Sequence, residues 1–72
     1  EENLLEGDVI DKGSKDILVY NATDDQFIAT AGLEGMVVVA TDDAIMVCGR
    51  DEVRRIKEIV NELRETGRED LI

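Results

Sequence analysis

The sequence predicts a mainly β fold with one C-terminal α-helix, in which short β-hairpin units stack as in a short β-solenoid and the helix packs on one face. Three observations predict this fold class. The first 49 residues contain short apolar runs that are rich in β-branched residues and separated by turn residues. Part of that region repeats at an offset of 18 residues. After residue 50 the spacing of the apolar residues changes from that of strands to that of a helix.

The apolar runs of the first part are each too short to form a globular helix, so each is predicted to be a strand. Glycines and pairs of Asp lie between the runs and supply the chemistry of turns. The predicted strands are residues 9–10, 17–20, 27–31, 36–40 and 44–48.

Two copies of a strand-turn-strand unit follow one another. Residues 19–25 align with residues 37–43 with five identities in seven, and both copies contain Ala-Thr-Asp-Asp. Each copy is predicted to be a β-hairpin, and the hairpins are predicted to stack because neither buries its apolar residues alone. Residues 9–10 lie 18 positions before residues 27–28 and indicate a degenerate earlier unit. The predicted repeat region therefore spans residues 7–49.

From residue 51 the apolar residues recur at steps of three and four, which predicts an amphipathic helix over residues 51–66 that caps the repeats. Asp51 is predicted to be its N-cap, and Gly67 is predicted to end it in a left-handed conformation. On the charged face Arg54 and Glu58, four residues apart, are predicted to pair. The apolar stripe consists of Val53, Ile56, Ile59, Val60 and Leu63.

The strands at residues 36–40 and 44–48 are apolar at every position, whereas a half-exposed strand alternates apolar with polar residues. Both faces of these strands therefore need cover, and a single helix covers only one of them. The remaining apolar surface is predicted to pack on other strands, on a second copy of the chain or on another domain. The predicted assembly surface consists of Val37, Val38, Val39, Ile45, Met46 and Val47.

Residues 1–72 are predicted to form a single acidic domain. The chain carries a formal charge of -10, and its first 49 residues contain eleven acidic residues and two basic ones. This charge disfavours nucleic acids and anionic membranes as partners, because both carry phosphates. No apolar run approaches the roughly 18 residues that a membrane-spanning helix needs. A cytoplasmic protein with neither kind of partner is therefore predicted.

The sequence offers little for catalysis or metal binding. It contains no His, which is the commonest general base at neutral pH. Cys48 ends an apolar strand without a base nearby and is predicted to be a small buried hydrophobe. Asp24-Asp25, Asp42-Asp43 and Asn21-Ala22-Thr23 are predicted to serve turns, rather than a calcium site or glycosylation. No catalytic, cofactor-binding or metal-binding residue is therefore predicted.

The segment from residue 30 to the C-terminus carries a longer pattern. It reads TAGLEGMVVVATDDAIMVC over residues 30–48, followed by a charged turn and a helix that opens DEVRRIK at residue 51. This pattern resembles the C-terminal segment of bacterial mannose-1-phosphate guanylyltransferases, and the resemblance covers residues 7–72. Gly35 departs from the family pattern, which usually has Asp or Asn there.

The resemblance implies a two-part enzyme. A nucleotidyltransferase domain makes GDP-mannose from GTP and mannose-1-phosphate with a divalent metal, and a β-rich part likened to a left-handed β-helix supports subunit assembly. The Gly-rich nucleotide loop and the Phe-Glu-Lys-Pro motif of the catalytic domain do not occur in these 72 residues. The resemblance therefore implies a non-catalytic assembly domain without a cofactor of its own, with the catalytic domain as a partner. The two-sided apolar strands predict a second copy as the other partner, in a homodimer.

Two alternatives from other classes stay open. One is a small acidic module that binds a ligand or metal through its Asp-rich turns and has a regulatory role. The other is a designed or truncated scaffold without activity.

Overall fold

The computed structural model describes residues 2–68 and residue 70. Within that part of the chain, six strands precede a helical segment: β1 (Leu4–Glu6), β2 (Val9–Lys12), β3 (Leu18–Asn21), β4 (Ile28–Ala31), β5 (Met36–Ala40) and β6 (Ile45–Gly49). A 3₁₀ segment, Arg50–Arg55, leads directly into the helix α1, Ile56–Glu65. The mainly β fold class with one C-terminal α-helix is thereby confirmed.

The strands form two small open sheets. One sheet contains β1, β3, β5 and β6 in that order, and the other contains β2 and β4. Neighbouring strands are parallel in both sheets, except that β5 and β6 are antiparallel. The chain therefore winds from one sheet to the other and back, and each new strand lies on the strand of the preceding coil. This arrangement is β-helix-like, as the predicted solenoid requires.

One coil of this winding is 19 residues long. Val9 pairs with Ile28 in one sheet, and Leu18 pairs with Val37 in the other. A bridge between residues 15 and 34 has the same spacing and marks a third side of the coil. The offset of 18 that the sequence indicates is therefore one residue shorter than the structural period of these coils.

The second predicted hairpin forms, and the first does not. β5 and β6 pair with Ala40 opposite Ile45, whereas β3 and β4 lie in different sheets. The prediction of a hairpin in the first repeat is therefore wrong. The sequences of the two turns align at an offset of 18 rather than 19. The reason is that Thr41 directly follows Ala40, while Thr23 lies two residues after Asn21, the register partner of Ala40. The turn after β5 thus begins one residue sooner than the turn after β3.

The core lies inside the coil, between the two sheets. Alternate strand residues fill it, because successive side chains of a strand point to opposite faces. Ile17 and Val19 are fully buried, and Val38 and Ala40 are 8% and 1% exposed. The partly buried hydrophobic residues packed against this cluster are Val9, Ile28, Leu33 and Met36. Since the cluster is this small, the coil depends on each side chain in it.

One corner of the coil has a left-handed backbone in two successive turns of the winding. Asp16, with φ 57°, and Gly35, with φ 63°, are 19 residues apart and follow the paired residues Lys15 and Glu34. The left-handed region favours Gly, Asn and Asp over other residues. This requirement explains why glycine fits at residue 35, where the guanylyltransferase pattern usually has Asp or Asn.

The helical segment begins differently from the prediction. Its first residues form a 3₁₀ helix after Gly49, with no side-chain cap, and Glu52 departs from helical geometry at φ -112° and ψ 16°. The predicted N-cap at Asp51 is therefore wrong. The backbone of the coil fixes this end instead, because the Arg50 N–H donates to the Gly35 carbonyl at 2.7 Å.

The 3₁₀ geometry also changes the predicted ion pair. Arg55, rather than Arg54, pairs with Glu52 and lies 3.8 Å from Glu58. A pair four residues apart needs continuous α-helical geometry, which starts only at residue 56. The predicted helix end is confirmed, since Gly67 has φ 80° and the two N–H groups at residues 67 and 68 donate to carbonyls of the last helical turn.

Candidate assembly surface

The outer face of the four-stranded sheet is apolar apart from Glu6 of β1, the register partner of Tyr20. Its side chains alternate with the inward-facing positions of β3 and β5 and continue across the register onto β1 and β6. We call the following residues the outer face: Leu4, Leu18, Tyr20, Val37, Val39 and Met46. Leu4 is 58% exposed and Tyr20 is 45% exposed, while the other members are half-buried. A contiguous apolar surface of this kind is typical of sites that pack on another protein surface.

An apolar groove separates β6 from α1. The groove has a volume of about 590 Å³, and its walls include the consecutive residues 44–47. Val39 of β5 and Thr41 also line the groove, on the same face of the hairpin as Met46. The groove therefore lies between the outer face of this hairpin and α1. The opposite wall is formed by Ile56, Ile59, Val60 and Leu63 of α1.

The apolar stripe of α1 is only partly covered. Ile56, Val60 and Leu63 are half-buried, Ile59 is 50% exposed, and no residue of α1 is fully buried. A helix of ten residues is marginal in water without tertiary contacts. The stripe therefore favours further packing across the groove. In the described part of the chain, no helix is both long and apolar enough to span a membrane.

Five of the six residues predicted for the assembly surface lie outside the core. Val37, Val39 and Met46 are half-buried on the outer face. Ile45 and Val47 point to the opposite side of β6, where they are 66% and 58% exposed. The structure therefore leaves these five residues accessible for packing on a partner.

Val38 is a core residue, which corrects its predicted place on the surface. It pairs with Val19 across the parallel strands and faces the same buried side of the sheet. A run of five apolar residues does not reveal which positions face inward, because every position fits either face. The register of β5 with β3 determines which of its residues face inward.

The Asp-rich turns of two coils meet at one end of the molecule. A shallow polar depression of about 380 Å³ is lined by Asp24, Asp25, Gln26 and Asp42. Among residues 2–68 and 70, no group of three or more His, Cys, Asp or Glu side chains is arranged to hold a metal ion. The turns are organised by hydroxyls instead: Thr23 Oγ1 lies 3.3 Å from the Gln26 carbonyl, and Thr41 Oγ1 lies 3.3 Å from the Ala44 carbonyl.

Asn21 is a buried polar residue whose role the sequence analysis missed. Its Nδ2 donates to the carbonyls of Asp8 at 3.1 Å and Gln26 at 2.8 Å, and its Oδ1 accepts from the N–H and hydroxyl of Thr23. These bonds satisfy a side chain that is 5% exposed. They confirm the turn predicted at residues 21–23. The signal for this role in the sequence was that Asn21 aligns with an apolar residue, Val39, in the repeat.

A second polar cluster lies at another corner of the coil. Asp11 accepts from the Thr30 hydroxyl at 2.6 Å and from the Ser14 N–H at 3.1 Å, while Ser14 Oγ accepts from the Leu33 N–H at 2.9 Å. Hydrogen bonds from the side chains of Ser14 and Thr30 lower the pKa of the Asp11 carboxyl below its ordinary value. The cluster therefore stabilises the coil.

Cys48, predicted to be buried, is a half-buried free thiol.

Relatives of this chain occur among bacterial biosynthetic proteins. It is 40% identical over 68 residues to the xanthan biosynthesis protein XanB of Xanthomonas campestris pv. campestris (strain B100), covering 94% of this chain and 14% of XanB. It is 35% identical over 66 residues to the alginate biosynthesis protein AlgA of Pseudomonas putida, covering 92% of this chain and 13% of AlgA.

The mannose-1-phosphate guanylyltransferase of Escherichia coli (strain K12) is 31% identical over 70 residues, with 97% of this chain and 14% of that enzyme covered. The chain thus spans 13% or 14% of the length of these relatives. A solved structure, that of mannose-1-phosphate geranyltransferase from Thermus thermophilus, matches with a TM-score of 0.63 and 30% identity. That match covers 88% of this chain and 19% of the other.

These relatives confirm the resemblance to mannose-1-phosphate guanylyltransferases that the pattern at residues 30–48 indicates. A family profile described as the MannoseP isomerase/GMP-like beta-helix domain matches residues 7–63. The matched range contains every strand except β1, the 19-residue coil and most of α1. The chain therefore belongs to the MannoseP isomerase/GMP-like beta-helix domain family.

Proposed function

We propose that the chain is the non-catalytic assembly domain of a mannose-1-phosphate guanylyltransferase, an enzyme that makes GDP-mannose from GTP and mannose-1-phosphate. In this role it holds subunits and the catalytic domain together in the cytoplasm. Its partners are a second copy and the catalytic domain, and it binds neither nucleic acid nor membrane. It needs no cofactor, because the divalent metal of the reaction belongs to the catalytic domain.

The observation that carries the proposal is the balance between buried and exposed apolar side chains. The described residues include four buried hydrophobic residues, Ile17, Val19, Val38 and Ala40. The large exposed ones are more numerous: Leu4, Leu5, Ile10, Tyr20, Phe27, Ile45, Val47, Val53 and Ile59. Burying apolar surface against a partner stabilises an assembly by about 25 cal/mol per Å². The outer face and the groove offer such surface on one side of the domain.

The polar residues of the domain support a structural role. Ser14 Oγ accepts a hydrogen bond from a backbone N–H inside the coil, and Asp11 accepts one from the Ser14 N–H at the same corner. The acidic first 49 residues would also repel the phosphates of GTP and mannose-1-phosphate. The chemistry of the reaction therefore belongs to the domain that carries the nucleotide loop.

Two measurements test the proposal. The chain is incubated with GTP, mannose-1-phosphate and magnesium, and no GDP-mannose is expected. Its association with itself and with the separately prepared catalytic domain of a relative is then measured by analytical ultracentrifugation. Tyr20→Asp on the outer face is expected to weaken at least one association, whereas Ile10→Asp on the other sheet serves as the matched control. GDP-mannose formed by the chain alone, or no association with either partner, would contradict the proposal.

The second candidate, a metal-binding regulatory module, would use the depression lined by Asp24, Asp25 and Asp42, although these carboxylates are not arranged to hold a metal ion. Its carboxylates lie on turns that hydroxyl groups already organise. Calorimetric titration with calcium separates the two candidates. The assembly proposal predicts no heat of binding and no change in melting temperature, and a saturable heat lost in Asp24→Asn would favour the module.

A further inference from the structure

The helix α1 covers only part of the outer face. The groove beside α1 is lined by Val39 of β5 and Met46 of β6. A separate, largely apolar depression of about 310 Å³ lies over β1 and β3, and among the described residues none of α1 lines it. One half of the sheet therefore carries a helix, and the other half does not. We call the following residues of that other half the uncovered half: Leu4, Glu6, Leu18 and Tyr20.

The uncovered half has the width of one helix. Neighbouring strands lie about 4.8 Å apart, and a helix with its side chains is about 10 Å in diameter. One helix therefore covers about two strands, and a four-stranded sheet has room for two helices side by side. Helices commonly form a layer of this kind on the apolar face of a sheet. Because α1 lies over β5 and β6, a second helix on β1 and β3 would complete the layer.

The α1 helix of a second copy does not suit this place. The apolar stripe of α1 already faces its own hairpin, through Ile56, Val60 and Leu63. The chain spans 13% or 14% of the length of its relatives, so most of their length lies outside the region that it matches. A helix from that remaining part is the better occupant.

The charge around the uncovered half is negative. Glu2 and Glu6 are exposed, and neither forms an ion pair with a described residue. Asp16 lies at the same end of the sheet, but it is paired with Arg50 at 3.6 Å. Charges across an interface are arranged to be complementary. The occupant is therefore expected to carry basic residues beside its apolar stripe.

Glu6 and Tyr20 define the kind of basic residue. They are register partners on adjacent parallel strands, and both point to the outer face. Tyr20 is 45% exposed, which leaves its ring available for a contact. A guanidinium group stacks on an aromatic ring and pairs with a carboxylate, and its planar shape suits both contacts better than an ammonium group does. The pair thus fits an arginine side chain.

We propose that the uncovered half binds one amphipathic helix of the catalytic domain, and that Tyr20 and Glu6 hold an arginine at the border of the apolar stripe of this helix. This inference rests on the assembly function proposed above and names the contact through which the catalytic domain is held. The helix lies beside α1, and its apolar stripe packs on Leu4 and Leu18.

Substitutions in the uncovered half test the contact. The dissociation constant for the separately prepared catalytic domain of a relative is measured by calorimetry, with circular dichroism as the check of folding. Tyr20→Leu keeps an apolar side chain without a ring and is expected to raise the dissociation constant about tenfold. Tyr20→Phe keeps the ring and is expected to bind like the parent chain.

The carboxylate is tested in the same way at low and high salt. Glu6→Gln is expected to raise the dissociation constant about threefold at low salt and less at high salt, because salt screens an exposed ion pair. Glu34→Gln is the matched control, since it removes an exposed carboxylate from the third side of the coil and should not change binding.

A double-mutant cycle identifies the arginine. Hydrogen exchange of the complex locates the segment of the catalytic domain that becomes protected, and each Arg in it is changed to Gln with and without Glu6→Gln. One Arg whose effect is lost in the Glu6→Gln background supports the proposal. Protection confined to a strand or a loop, or no Arg coupled to Glu6, would overturn it.

The outcomes separate this contact from the assembly function. Binding that neither Tyr20→Leu nor Glu6→Gln alters would overturn the helix contact and leave the assembly function standing. A chain that associates with itself but not with the catalytic domain has the same meaning. Absence of both associations removes both proposals.

Discussion

The two Ala-Thr-Asp-Asp turns have the same sequence but lead the chain in different directions. The turn after β3 carries the chain to β4 in the second sheet, and the turn after β5 reverses it into β6. In both turns a Thr hydroxyl lies 3.3 Å from the carbonyl three residues later. The local chemistry of the turn is therefore shared and does not decide the topology.

The strand before each turn ends in a different residue. Asn21 ends β3, and its register partner Ala40 ends β5. Asn21 donates to the carbonyl of Asp8 in the preceding coil and to that of Gln26 beyond the turn. Ala40 has no polar side chain and lies opposite Ile45 in the hairpin. The buried amide of Asn21 thus holds the first turn against the preceding coil. Ala40 makes no such bond, so the chain can reverse its direction at the second turn.

The largest effect is expected where the preceding coil meets Asn21. Gly7 has φ 90°, and a Cβ there would lie 2.2 Å from the Asn21 carbonyl oxygen. Gly7→Ala is therefore expected to lower the free energy of unfolding by about 3 kcal/mol or more, because backbone must shift. Urea denaturation followed by circular dichroism measures this loss.

Gly13→Ala is the matched control for that substitution. Gly13 also has positive φ, at 77°, but no atom lies within 4 Å of the added Cβ. Its expected cost is only the strain of the left-handed backbone, about 1–2 kcal/mol. Equal costs at the two positions would show that backbone strain, rather than the contact between coils, limits the first turn.

The next effect is expected at Asn21 itself. Asn21→Ala removes both donated hydrogen bonds and leaves the carbonyls of Asp8 and Gln26 with fewer partners, so a loss of about 2–3 kcal/mol is expected. Asn21→Asp keeps an acceptor for Thr23 but not the donor, and a similar loss is expected. Because Ile28 N–H also donates to the Asp8 carbonyl, its hydrogen exchange should accelerate. Unchanged exchange there would contradict a tie between the coils.

Much of the fold could be predicted from the sequence, and part of it could not. The apolar runs bounded by turn residues gave every strand from β2 to β6 within one or two residues, because strand length is set locally. The residues that face inward could not be predicted, since the inward position of Val38 depends on its register with Val19. Likewise, the cap of the helical segment is a backbone bond from Arg50 to Gly35, which no local pattern contains.

The assembly surface itself stays a prediction, and only the exposure of its residues can be compared with the structure. Continuous apolar strands indicated an assembly surface, and five of its six predicted residues lie outside the core. The alignment at an offset of 18 placed Asn21 opposite Val39, which concealed its pairing with Ala40. For the same reason the first turn was predicted to form a hairpin.

A smaller, pH-dependent effect is expected in the coiled part of the molecule. Hydrogen bonds from the side chains of Ser14 and Thr30 lower the pKa of Asp11 in the folded state. The charged carboxylate therefore stabilises the fold above its ordinary unfolded pKa, and this contribution is lost as the pH falls through the lower folded pKa. Asp11→Asn is expected to be less stable than the parent chain near neutral pH, with a difference that shrinks on acidification. Thermal unfolding at several pH values checks this, and a constant difference would contradict it.

The smallest effect compares the hydroxyls of the two turns directly. Thr23 Oγ1 lies 2.6 Å from Asn21 Oδ1, so Thr23→Val is expected to cost about 1 kcal/mol. Thr41 has no such buried partner, since its hydroxyl contacts are exposed and 3.3 to 3.4 Å long. Thr41→Val is therefore expected to change the free energy of unfolding by no more than about 0.5 kcal/mol. An equal cost at both turns in urea denaturation would mean that the hydroxyl acts without Asn21, and the difference between coil and hairpin would then need another cause.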